Sequence, residues 1–135
     1  MLVDRNTLAT RQKAVEAEIA RCVSEGKKLF GLDLSKVDIS YNLTGNTAGW
    51  AFGRWGQFGI KLNRQFIAGT EESYEHMLNE TISHEFSHII CYMNPALGRK
   101  HGGAQKKILR LDRVRWRADD LRIPARRVRI VLAHA

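Results

Sequence analysis

Residues 71–93 combine a helical repeat of apolar side chains with the pentad His84-Glu85-Phe86-Ser87-His88, and few folds accommodate both. At about 100° per residue, Leu78, Ile82, Phe86, Ile89 and Met93 fall within about 80° of one another, which predicts a helix with one core face. Glu71, Glu72 and Glu75 stand at its start, where the positive end of the helix dipole favours them. Pro95 and Gly98 then break the pattern. His84 and His88 project about 160° and about 120° from the centre of the apolar stripe, so they are expected on the far side from the core. A solvated helix face is the minor alternative for that arrangement, given how rare the pentad is.

Side chains four apart on a helix lie one above the other, so His84 and His88 can hold one metal ion jointly. Glu85 then stands beside the ion without ligating it, placed to act as general base on a water. This is the HExxH arrangement of zinc hydrolases. At this chain's own composition such a pentad arises by chance roughly 0.01 times per chain. A catalytic zinc site takes three protein ligands, and His101 is the preferred third. The break at Pro95 and Gly98 lets the chain turn back, and Gly102 and Gly103 allow close backbone approach. His76 would lie about 12 Å along the helix from His84, too far to share the ion. His134 is a weaker candidate; Asp112 and then Cys91 are the fallbacks. Tyr92 and Tyr41 are candidates to stabilise an oxyanion, and Glu80 to orient a ligand.

The rest of the chain reads as one compact domain. Its 135 residues, 44% hydrophobic and 27% charged, need no disulfide framework, and Cys22 and Cys91 are too few to build one. No apolar run resembles a signal peptide or a membrane span, so a reduced cytoplasmic setting is expected. Leu8, Val15, Ile19, Cys22 and Val23 predict a helix over residues 7–30, with Arg11, Lys13, Glu16 and Glu18 on other positions. Asn6 or Thr7 is expected to cap it and Gly31 to end it. Val37, Ile39 and Tyr41 alternate with polar residues over 36–43, a half-buried strand. Strands are expected near 48–52 and 58–62, joined through Gly53-Arg54-Trp55-Gly56, with Trp50 and Trp55 packing against neighbours. A further helix is expected over 103–113. The outline is helix, short meander, helix and basic C-terminus.

The net charge of +8 is unevenly placed: residues 1–98 hold 10 Lys/Arg and 11 Asp/Glu, residues 99–135 hold 12 and 3. Such a block attracts polyanions, nucleic acid being the usual one, although a merely solvated basic face is the alternative.

These residues resemble the SprT-like zinc metallopeptidases, the family that includes the DNA-repair protease Spartan. The resemblance covers roughly residues 29–111. It rests on Thr47-Ala48-Gly49, on Ile60-Lys61-Leu62-Asn63, on Thr81 with the pentad, and on His101-Gly102 in the place of the family's third-ligand element. It implies an α+β, zincin-like fold, with the active-site helix beneath a small sheet and a peptide substrate extended along an edge strand. A metallopeptidase domain over 1–113 and a basic extension over 114–135 packed on it are expected. The resemblance also implies Zn2+ held by His84, His88 and His101, Glu85 as catalytic base, and peptide-bond hydrolysis, often of proteins bound or crosslinked to DNA. Many relatives carry a C-terminal cysteine-rich zinc ribbon, but no cysteine follows Cys91 here. DNA contact would therefore come from Arg99, Lys100, Lys106, Lys107, Arg110, Arg113, Arg115 and Arg117, with Trp116 available to stack. A monomer is expected, cytoplasmic and nucleoid-associated in a bacterial or phage setting. Two rival readings stand: a non-catalytic DNA-binding protein with a structural zinc site, and a peptidase indifferent to DNA.

Overall fold

The structure, a computed structural model, describes residues 2–94. The helix expected over 103–113, the boundary at 113, His101 and the eight basic residues lie outside them. Helix α1 (Arg5–Phe30) is capped by Asp4, whose side chain accepts from the Thr7 amide, and ends at Gly31 in the left-handed conformation, φ 67°. The cap therefore lies two residues before the earlier expected candidate, Asn6. A short 3-10 turn (Leu34–Lys36) leads into strand β1 (Asp38–Ser40). Strands β2 (Gly49–Arg54) and β3 (Gln57–Leu62) form a hairpin, followed by helix α2 (Arg64–Ala68), which the sequence reading did not anticipate.

The sheet is not a meander. β1 pairs in parallel with β3 and β2 pairs antiparallel with it, giving the order β1-β3-β2. The cause is burial: Ile60 and Leu62 of β3 are almost fully enclosed, which requires neighbours on both sides, and only the central position supplies them. β2 is left at one edge of the sheet.

Residues 71–93 are helical throughout, but not regularly so. Helix α3 (Glu71–His76) passes through a π turn (Met77–Thr81) into helix α4 (Ile82–Met93). A π turn takes one residue more than an α turn, so it shifts the register of everything before it. Met77 consequently reaches the core, fully buried, while Leu78, placed there by 100° periodicity, is only half-buried. The core joins Val15 and Cys22 of α1, Ala51, Ile60 and Leu62 of the sheet, and Ile82, Phe86, Ile89 and Ile90 of α4. Arg11, which stands outside the apolar repeat of α1, is 8% exposed. Its guanidinium donates to the carbonyls of Ile67 and Gly69, each at 2.9 Å, and so ties α1 to the end of α2. Among the described residues no helix is long and apolar enough to cross a membrane.

Candidate metal centre

The first half of helix α4 is enclosed on all sides: every residue from Thr81 to Ser87 is buried, a stretch of almost two turns. The polar face that periodicity placed opposite the core is thus an interior surface. His84 is 2% exposed and Glu85 is fully buried, while His88 is half-buried. Apolar periodicity sees only the face that packs on hydrophobic neighbours. It does not register a second face covered by a strand.

β2 supplies part of that cover. A Cβ at Gly49 would stand 2.7 Å from Thr81 Cγ2 and 3.2 Å from Glu85 Cγ, and one at Gly53 would stand 2.9 Å from the Tyr92 ring. With Ala51 between them, the inward positions of β2 carry minimal side chains, which lets the strand lie almost on the helix. Asn63 holds the start of this strand in place. Fully buried, it donates through Nδ2 to the carbonyls of Gly45 and Thr47, each at 2.9 Å, and its own amide donates to Ala48.

His84 and His88 come together as the four-residue spacing requires. Their Nε2 atoms are 3.0 Å apart and their rings meet edge to face, with centroids 4.6 Å apart. Two nitrogens on one tetrahedral zinc, each about 2.0–2.1 Å from it, are about 3.3 Å apart, so this pair needs only a small opening to accept an ion. At this distance one imidazole can also donate to the other. Tyr92 stacks on His88 at 6.2 Å and 23°. Tyr41, the other oxyanion candidate, instead lines a hollow with Leu8, Ala9 and Gln12 of α1, where burial raises its pKa against a Gln12 hydrogen bond that lowers it.

The remaining residues of the pentad have structural tasks. Phe86 fills the core, and Ser87 Oγ donates to the Ser83 carbonyl at 3.0 Å. Before the pentad, the π turn brings Thr81 Oγ1 to 3.0 Å from His76 Nδ1, and His76 Nε2 lies 3.7 Å from Glu80 Oε1. Among the described residues no third His, Cys, Asp or Glu joins His84 and His88 into a set of three, so Cys91 does not complete the site. His101 lies outside the described residues, as does Asp112. Gly49 and Asn63 escaped the chemical reading because neither is a ligand or a base; their only signal was their place within the shared motifs.

An α+β domain that buries a glutamate between two histidines on a central helix has the donor types of a zinc hydrolase. The chain is similar to Protein SprT of Vibrio atlanticus (strain LGP32), 25% identical over 99 residues, covering 73% of this chain and 57% of that protein. It thus spans a little over half of the relative's length, and likeness of this extent points to a SprT-like family and no further. No family model and no solved structure matches the chain.

Proposed function

We propose that the chain is a zinc-dependent metallopeptidase of zincin-like fold, acting on DNA-associated or DNA-crosslinked proteins. The observation that carries this reading is the convergence of two imidazole nitrogens 3.0 Å apart on the helix that also carries the fully buried Glu85. His84, His88 and His101 would hold the ion. Zinc, when bound, supplies Lewis acidity to a water and to the scissile carbonyl. Glu85 takes the proton of the attacking water and delivers it to the departing amine. Its enclosure excludes bulk water from that transfer, and Tyr92, whose ring stacks on His88, would steady developing negative charge. The basic residues Arg99, Lys100, Lys106, Lys107, Arg110, Arg113, Arg115 and Arg117 would draw the enzyme to DNA by phosphate attraction.

The test is cleavage of a DNA-bound protein by zinc-loaded enzyme, with Glu85→Gln as control. The variant is expected to keep its zinc and lose turnover by more than about 100-fold. Comparable cleavage by the variant would sink the assignment. Zinc retained with no cleavage by the unmodified protein would favour a DNA-binding protein with a structural metal. Cleavage unaffected by DNA would mark a peptidase indifferent to it.

A further inference from the structure

We propose that the outer face of the β2–β3 hairpin binds single-stranded nucleic acid by stacking bases on its aromatic rings. The inference deepens the DNA part of the reading above but uses a surface distinct from both the metal centre and the basic C-terminal segment. Gly49, Ala51 and Gly53 of β2 turn toward α4, so Trp50, Phe52 and Arg54 turn outward. Lys61 of β3 is the cross-strand partner of Trp50. Its ammonium lies 5.4 Å from the Trp50 centroid and 6.0 Å from that of Phe52, so one cation serves two rings. Phe52 lies across its partner Gly59, where a side chain would collide with the ring. Both residues keep over a third of their surface exposed, Trp50 at 37% and Phe52 at 38%.

The hairpin tip extends the same row. Trp55 is 92% exposed, and the Arg54 guanidinium lies 5.5 Å from its ring. Both tryptophans were expected to pack against neighbours; Trp50 does so in part, against Lys61, and Trp55 stands open. Trp55 and Gly56 have φ of 52° and 79°, as a two-residue hairpin turn of this hand requires. Asn, Asp or Gly is the usual first residue there, and a bulky aromatic is an outlier. The tip therefore bears both an unfavourable backbone conformation and an indole that, among the described residues, is covered by little beyond the Arg54 guanidinium.

Rings alternating with cations on an open face match a ligand that has planar apolar faces and a charged backbone. A polypeptide strand would use the rings and give Lys61 and Arg54 no counter-charge. A duplex would satisfy the cations but keep its base faces hidden. Asp38 of β1, level with Gly59, places a carboxylate at the far margin and confines the cationic area to the hairpin.

The experiment measures binding of the full chain to a labelled oligothymidylate of about 12 nucleotides, a size suited to one small domain, and to its abasic and duplex counterparts. Trp50→Ala and Trp55→Asn are each expected to weaken single-strand binding roughly 5- to 100-fold, leaving duplex affinity unchanged. Asn tolerates the left-handed conformation, so Trp55→Asn should melt no earlier than the unmodified protein, which separates lost binding from lost folding. Lys61→Gln should reduce the salt slope of single-strand binding by about 0.7. Equal affinity of the unmodified protein for the oligothymidylate and its abasic form would overturn the proposal, leaving the basic segment as the sole nucleic-acid contact. Trp55→Asn binding as tightly as the unmodified protein would do the same. Loss in that variant of cleavage of a DNA-free protein, with oligothymidylate affinity intact, would assign the face to the polypeptide substrate instead. Because the readout is affinity, these outcomes stand apart from the success or failure of the peptidase reading.

Discussion

Glu85 faces a point on β2 where the chain has no side chain, and that absence sets how closely strand and helix approach. A methyl group added at Gly49 must displace Thr81, Glu85 or the strand itself. Gly49→Ala is therefore expected to lower kcat by about 10- to 100-fold, as small displacements of positioned groups do, while zinc binding by His84 and His88 persists. Overpacking should also cost about 1–3 kcal/mol of stability, read by urea unfolding. Unchanged kcat in a zinc-loaded Gly49→Ala protein would show that Glu85 tolerates the shift. The pair His84 and His88 was legible from spacing alone, because four residues on a helix fix which side chains coincide. The contact between Gly49 and Glu85 was not, since nothing local in either segment refers to the other.

Among the elements, α1 shows how local and distant interactions divide. Its cap is local: the amide of Thr7 donating to Asp4 holds that carboxyl below the ordinary carboxylate range. A group whose pKa is lowered on folding stabilises the fold above its unfolded pKa and loses that effect as pH falls through the folded one. Asp4→Ala should thus lower Tm at pH 7, and the difference from the unmodified protein should shrink below about pH 4. A constant difference in Tm down to strongly acid pH would argue against the cap. Arg11, by contrast, acts over distance, bonding the Ile67 and Gly69 carbonyls and Glu71 Oε1, the last at 3.0 Å. The Glu71 side chain is 66% exposed, so its ion pair contributes little, whereas loss of the guanidinium strands a buried carbonyl. Urea titrations should find Arg11→Met destabilising by about 2–3 kcal/mol and Glu71→Gln by less than about 1 kcal/mol. Equal effects would reverse that division. The apolar repeat of α1 passes over Arg11 because a polar residue carries no sign of a partner elsewhere in the chain. The π turn was hidden for a similar reason: hydrophobic spacing assumes one constant period, and Met77 replaces Leu78 only once that period is broken.

At the scale of the whole molecule, the metal would link α4 to the chain beyond it through His101, so its binding should add to folding stability. Chelation is expected to lower Tm by at least about 5 °C, zinc to restore it, and His101→Ala to weaken the response. A Tm indifferent to both chelator and zinc would remove the link between metal and fold. What the sequence determined by itself lay within single elements: the helical course of residues 5–30 and 71–93, the hairpin with its turn, and the alignment of His84, Glu85 and His88. Helical and strand periods act over a few residues, so they can be read without knowing what packs where. Only the tertiary structure decided that β3 is central with β1 parallel to it, that β2 lies over Glu85, and that the polar side of α4 is interior while Trp50 and Trp55 stay outside. Each depends on segments far apart in the chain, and burial is settled by which surfaces meet rather than by the residues on either one.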